Sequence, residues 1–278
     1  MSNPMSYEGK RVLVAGCYSG MGAATAGILK DLGASVIGFD IKKPEVAVDE
    51  FHEVDLKDAA AIRGAVGSIT AGGPLDNVFY CAGLSPVHSD LDVMLVNFLG
   101  LRETIEACIP QMPRGGSIAS ISSGAGVGYL ASLAEVGEFL AIDDRDEACR
   151  WVESKSGSPS FNGYVFSKMC TIVYTTHRGV SLAPETGIRI NCISPGPTAT
   201  PMMPDFIETA GKEFMARYPR PIPGDSTPEQ QAWILAFLGS DLASYINGEN
   251  IFSDGGTSAG LLTGAIDPAA LMPDQPTS

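Results

Sequence analysis

The chain has 278 residues, a formal net charge of −14, 45% hydrophobic and 18% charged residues, a balance that allows a buried core and excludes a disordered chain. So acidic a protein repels phosphate backbones and anionic lipid surfaces, so nucleic acid and membrane are set aside as partners and a small molecule is expected. The six cysteines show no C-x-x-C spacing and the three histidines lie far apart, so no metal site is expected. The cysteines sit in apolar runs such as NVFYCAG and IRINCIS, as small buried hydrophobes do in a reducing compartment. MSNPMSYEGK at the start is polar and no apolar run approaches the length of a membrane span, which makes cytoplasm the expected location.

In chain order, residues 11–15 read as a β-branched strand, 21–32 as an amphipathic helix, 35–39 as a strand, 58–69 as a helix and 77–81 as a strand. A helix is expected over 89–109 and a strand over 116–121. An acidic stretch with helical pieces at 133–139 and 143–152, ending in ESKSGSPS, breaks the rhythm and reads as an insert over about 127–160. A helix at 164–182 and strands at 188–193 and 250–252 follow, separated by a proline- and methionine-rich segment at about 197–226. Long functional loops that cover a site have such a composition. Met202, Met203, Phe206, Ile207, Phe214, Met215 and Tyr218 would give this lid an adaptable apolar face. Strand–helix alternation predicts one α/β domain over residues 1–278, a doubly wound Rossmann-type parallel sheet of about seven strands. The helical insert comes before Tyr164, and ligands of such sheets bind at the carboxyl ends of the strands.

The first strand runs into Ala15, Gly16, Cys17, Tyr18, Ser19, Gly20, Met21 and Gly22, where a helix begins. Glycines let such a turn approach a pyrophosphate, which the helix N-terminus can hold, although an ordinary glycine turn would look alike. The next strand ends in Phe39-Asp40, followed by Ile41 where a basic residue would otherwise meet a 2′-phosphate. A carboxylate there accepts ribose hydroxyls and repels that phosphate, which favours NAD over NADP. Lys42 and Lys43 read as a solvated turn before Pro44. Tyr164 and Lys168 are spaced to share one helical face. A phenol with a pKa near 10 needs lowering by about two to three pH units to serve as a base, which an ammonium and a positively charged nicotinamide can supply together.

Further motifs follow in order: Asp55-Leu56, Cys81-Ala82-Gly83, Asn97 in LVNFLG, Ile121-Ser122-Ser123, Ser194-Pro195-Gly196 and Asp254-Gly255-Gly256. With the glycine turn and the Tyr164–Lys168 pair, the sequence resembles the classical short-chain dehydrogenase/reductase family over nearly its whole length. The resemblance implies hydride transfer between NAD(H) and an alcohol or ketone. Tyr164 would move the substrate proton, Lys168 would tune it and bind the nicotinamide ribose, and Ser123 rather than Ser122 would hold the substrate oxygen. Asn97 would complete a proton relay, unless it is a structural, helix-bending residue. Gly16, Tyr18, Ser19, Gly20, Met21 and Gly22 would form the pyrophosphate turn, Asp40 and Ile41 the ribose site, and Asp55 and Leu56 the adenine site. Cys81, Ala82, Gly83, Pro195 and Gly196 would complete the cofactor cleft, with Ile193, Thr198 and Thr200 at its carboxamide end. Cys81 and Ala15 replace the usual asparagine and threonine, with loss of a side-chain hydrogen bond at each.

The gap between Ser123 and Tyr164 is far longer than in most members. It is similar to that of the bacterial 3α-hydroxysteroid dehydrogenase/carbonyl reductase subgroup, as are CAGL-x-P at 81–86 and ASY-x-x-G near Ala243. That likeness implies a homodimer, with a homotetramer as the alternative. It also implies a bulky apolar substrate, steroid-like or aryl, bordered by Val127, Gly128 and Tyr129. The competing readings are a reductase of polar carbonyls such as an acyl-thioester or sugar, and a non-catalytic NAD-binding protein on the same fold.

Overall fold

The structure is a computed structural model that describes residues 4–271, so residues 1–3 and 272–278 at the ends of the expected domain lie outside it. The first apolar run forms β1 (Arg11–Ala15), buried from Val12 onward because a parallel strand is covered on both faces. α1 (Gly20–Asp31) leads to β2 (Ser35–Asp40). The next strand, β3 (Glu50–Glu53), went unseen in the sequence. Its four partly exposed residues, EFHE, lie at the sheet edge, where an apolar pattern is not required. Asp58 caps α2 (Ala59–Thr70) by accepting from the Ala60 and Ala61 amides, and β4 (Asn77–Tyr80) follows.

The helix expected over 89–109 is divided. α3 (Asp90–Met94) passes into a π-helical turn, Leu95–Gly100, before α4 (Leu101–Cys108). Within that widened turn the Val96 carbonyl accepts the Tyr80 hydroxyl at 2.6 Å, the kind of outside partner a π-bulge calls for. β5 (Ser117–Ile121) leads into the insert: a 3₁₀ stretch Gly124–Ser132, α5 (Leu133–Leu140), and α6 (Arg145–Lys155) capped by Asp144. The long α7 (Gly163–Thr186) runs past Pro184 to a left-handed Gly187.

After α7 come β6 (Arg189–Pro195), α8 (Met203–Ala210) and α9 (Lys212–Arg217). α10 (Pro228–Gly239) opens with a capping box between Thr227 and Gln230, and β7 (Asn250–Ser253) and α11 (Thr257–Thr263) complete the fold.

The seven strands are ordered β3-β2-β1-β4-β5-β6-β7, each pair parallel. Alternation along the strands supplies two cores. Leu13, Ile37, Val78, Ile118 and Ile190 face one helical layer, and Val12, Val14, Val36, Phe79 and Ala119 face the other. The insert is rooted in the first core by aromatic rings: Trp151 stacks on Phe166 with centroids 5.2 Å apart, and Phe139 meets Phe166 edge-on at 5.4 Å. Winding reverses between β1 and β4, which opens a crevice at their carboxyl ends. No helix among the described residues is long and apolar enough to cross a membrane.

Candidate active site

The carboxyl ends of β1, β4, β5 and β6 surround a cavity of about 910 Å³. Gly16 turns the chain there with φ 84°, and a Cβ on it would lie 2.4 Å from the Ala82 nitrogen, so only glycine serves. Gly22 plays a different part from the one expected: it does not line the cavity, and its Cβ would fall 1.8 Å from the Gly16 carbonyl oxygen. It lets α1 pack against the turn. Ser19 stands at the N-cap of α1 without a side-chain hydrogen bond, which leaves first-turn amides available to an anion.

At the end of β2 the Asp40 carboxylate accepts from the Tyr18 amide at 2.9 Å and the Lys42 amide at 3.2 Å, one on each oxygen. Each oxygen keeps a second lone pair for a ribose hydroxyl. Lys42 is more than a solvated turn residue, since it lines the cavity with its ammonium 5.4 Å from the centre of the Tyr18 ring. An uncapped helix start, a side-chain-free turn and a strand-end carboxylate fit a dinucleotide's pyrophosphate and ribose. Tyr18, Ser19, Gly20, Met21, Ile41, Asp55, Leu56, Cys81, Ala82 and Gly83 line the same cleft, as do Pro195, Gly196, Thr198 and Thr200. Ile193 does not; it is fully buried in the sheet core.

β5 delivers two serines to opposite sides. Both line the cavity, but the Ser122 hydroxyl is turned to the Lys168 carbonyl, to which it donates at 2.8 Å, whereas the Ser123 hydroxyl accepts from the Ala125 amide at 3.1 Å and favours the Tyr164 phenolate. Tyr164 sits in the first turn of α7, whose start is fixed by Asn162 accepting from the Val165 amide at 3.0 Å and by the Gly163 amide donating to Asp90 at 2.7 Å. One turn on, the buried Lys168 ammonium donates to the Ile121 carbonyl at 3.0 Å and lies 5.6 Å from the Tyr164 ring centre. Burial pushes the Tyr164 phenol up to about 12, against the hydrogen bond from Ser123 and with Tyr218 adding to the rise. Burial pulls Lys168 down to about 8, opposed by Cys192. Among the chain's own groups burial therefore prevails, so the lowering expected from the ammonium and a nicotinamide charge together is not made by the ammonium alone.

Asn97 stands behind the cavity wall. Its Oδ1 accepts from the Leu84 amide at 2.7 Å and its Nδ2 donates to the Leu84 carbonyl at 3.0 Å. Both ends of the side-chain amide thus clamp a loop, in keeping with the structural reading weighed for this residue. Cys81 lines the cavity with its thiol pushed up to about 12 by burial, a rise that Thr25 opposes. Val127 borders the cavity, but Gly128 and Tyr129 do not. Leu84 and Pro86 of the CAGL-x-P stretch also line it, as do His88 and Leu271, which were not singled out in the sequence. His88 comes from a turn and Leu271 from a 3₁₀ turn, Pro268–Leu271, near the end of the described chain, places whose approach to the cleft only the folded chain reveals. Of the lid residues, Met202, Met203, Phe206, Phe214, Met215 and Tyr218 reach the cavity, and Ile207 stays outside, 37% exposed. Phe206 meets the Tyr164 ring edge-on with centroids 5.3 Å apart.

A half-buried tyrosine and a buried lysine one turn apart, facing a strand-end serine across a dinucleotide-sized cleft, define an oxidoreductase of the Rossmann type. The chain belongs to the short-chain dehydrogenase/reductase family. The family model described as short chain dehydrogenase matches residues 10–135, and the one described as Enoyl-(Acyl carrier protein) reductase matches residues 149–258. The stretch between the two matches falls inside the insert. Coniferyl-alcohol dehydrogenase of Pseudomonas sp. (strain HR199 / DSM 7063) is 31% identical over 92% of this chain and 99% of its own length. The 3-alpha-hydroxysteroid dehydrogenase/carbonyl reductase of Comamonas testosteroni is 30% identical over 89% and 96%. The crystal structure of 3-alpha-hydroxysteroid dehydrogenase from Pseudomonas sp. B-0831 complexed with NADH superposes with a TM-score of 0.79 at 26% identity, covering 93% of this chain and 100% of that one.

Proposed function

We propose that this enzyme is an NAD(H)-dependent dehydrogenase of bulky apolar secondary alcohols and ketones, aryl or steroid-like. Residues 1–278 would act as one domain with its insert at about 127–160 and its lid at about 197–226. The observation that carries the substrate reading is the lid itself, whose methionines and aromatic rings face the cavity with Phe206 edge-on to Tyr164. The two curated relatives above, named for coniferyl alcohol and for a hydroxysteroid, support it. The Asp40 carboxylate at the ribose end supports NAD over NADP, as does the NADH in the structural relative.

In the oxidative direction the Tyr164 hydroxyl oxygen, as phenolate, takes the substrate's hydroxyl proton while Ser123 holds the same substrate oxygen. Nicotinamide, when bound, supplies the hydride acceptor and a positive charge that favours the phenolate. Lys168, pinned to Ile121 with its ammonium 5.6 Å from the Tyr164 ring centre, would hold the nicotinamide ribose when the cofactor is bound. The lid keeps water from the reacting carbon. In the reductive direction Tyr164 returns the proton to the ketone oxygen.

A homodimer is the assembly we favour. The insert packs on α7 through Trp151 and Phe139, while α10 and the turn after it leave Trp233 and Leu242 each 49% exposed and Tyr245 fully exposed, apolar area that a second copy would cover. Buried or half-buried free thiols fit a cytoplasmic setting.

Turnover of aryl alcohols, hydroxysteroids, acyl-thioesters and sugars with each cofactor tests the reading. We expect the highest kcat/KM for an apolar secondary alcohol with NAD. A preference for an acyl-thioester or sugar would replace the substrate assignment, and absence of all turnover would favour a non-catalytic NAD-binding protein. Light scattering tests the dimer, which a stable tetramer built on α7 would refute.

A further inference from the structure

The lid leaves the body at Thr198, shortly past the end of β6, and returns at Ser226, and an isolated parallel bridge fastens its two ends together. The Ala199 amide donates to Ser226 at 2.8 Å and the Ser226 amide to Pro197 at 3.0 Å, and the Thr198 and Ser226 hydroxyls lie 2.9 Å apart. The returning half is fastened to the body as well: the Ile222 amide donates to Gly255 at 3.2 Å and the Thr257 hydroxyl to the Pro219 carbonyl at 2.9 Å.

The leading half has far less to hold it. α8 buries none of its side chains, and Gly211, with φ 89° and open space around it, separates α8 from α9. Among the described residues a single hydrogen bond joins α8 to chain outside the lid, from the Ser85 hydroxyl to Asp205 Oδ2 at 2.6 Å. Ser85 is only 1% exposed, so losing its partner would strand a buried hydroxyl. Ser85 is also fixed from behind, because Leu84 just before it is gripped at both backbone groups by Asn97. Asp205 in turn precedes Phe206, whose ring covers Tyr164. A continuous line of contacts thus runs from the π-helical turn to the ring above the reacting tyrosine.

The geometry points to Ser85 and Asp205 as a latch, a pair of positioning residues that holds α8 shut so that Phe206 is seated over bulky substrate. Neither residue lines the cavity; both act through Phe206. The consequence for the substrate rests on the proposed function above, whereas the latch itself does not. A hydrogen bond to an ionised acceptor, in a helix with no buried side chain, is strong enough to set how often that helix opens.

The test uses Ser85→Ala, Asp205→Ala, the double variant and Asp205→Asn, whose amide oxygen still accepts from Ser85. Hydrogen exchange on the free protein is expected to show α8 amides opening about tenfold more often in either alanine variant. The double variant should be no worse than either single, and Asp205→Asn should stay close to wild type. With a bulky aryl alcohol KM should rise by a similar factor while single-turnover hydride transfer stays within about twofold, and a small alcohol that does not reach the lid should show no KM change. Unchanged α8 exchange in Asp205→Ala, additive effects in the double variant, or a broad loss of melting temperature in the singles would overturn the latch. If the wild type oxidises no alcohol, the functional reading fails and the exchange data still decide the latch.

Discussion

The ammonium of Lys168 and the carbonyl of Ile121 are joined by a buried hydrogen bond of 3.0 Å, which fixes a positive charge at the end of β5, directly below the tyrosine ring. The position is costly for the fold. Burial lowers the Lys168 pKa from 10.5 to about 8. Below pH 8 the group is protonated both folded and unfolded, and its desolvation destabilises the protein in full. Between about 8 and 10.5 the unfolded chain binds more protons, so stability rises with pH across that window. Lys168→Met is therefore expected to stabilise the protein at pH 7 by on the order of 3 kcal/mol while abolishing turnover, with the gain shrinking toward pH 10.5. Thermal melts at both pH values check this, and a variant less stable than wild type at pH 7 would contradict it.

Tyr164→Phe removes the proton-transfer group and keeps the ring that packs against Phe206. Turnover should fall by about 10²- to 10⁴-fold with the dissociation constant for NADH nearly unchanged by fluorescence titration. A variant that keeps more than about a hundredth of wild-type activity would transfer the acid/base role to another group.

Asp40→Ala removes the carboxylate that holds the Tyr18 and Lys42 amides. The kcat/KM ratio for NAD(H) over NADP(H) should fall by at least about tenfold, since a 2′-phosphate would lose its repulsion and Lys42 is already at the cleft. A wild type that prefers NADP(H) would instead credit Lys42 and remove the basis for the NAD assignment.

Phe139 is fully buried where the insert meets α7. Phe139→Ala should cost about 3–5 kcal/mol in chemical denaturation, in one cooperative transition, because the insert shares the main core. A cost below about 1 kcal/mol, or a separate early transition, would show instead that the insert folds as an appendage.

Wherever one physical pattern dominates, the fold was legible in the sequence. The strands at 11–15 and 35–39 were seen because burial on both faces makes their apolar runs continuous. β3 was missed because an edge strand in EFHE is only partly buried. The π turn at Leu95–Gly100 leaves no mark of its own in LVNFLG, since it depends on Tyr80 reaching across to Val96. Within the cleft, Tyr164, Lys168, Ser123 and Asp40 could be located because spacing and strand ends fix where they lie. Gly22 and Ile193 could not be placed correctly, because which way each faces depends on what packs behind it. The reach of Ser85 to Asp205 joins positions 120 residues apart and had no local signature.

The fold has set the chain's two tryptophans in contrasting surroundings. Trp151 lies among Phe139, Phe161 and Phe166 with the Lys155 ammonium 5.0 Å from its ring centre, whereas Trp233 is 49% exposed on α10. Ultraviolet emission from the unmodified protein should accordingly divide into a bluer component from the half-buried Trp151, which follows the insert, and a quenchable red one from Trp233, which follows the outer helix. Docking of a second copy onto α10 and loosening of the insert would register as separate optical events, with no label attached to the chain.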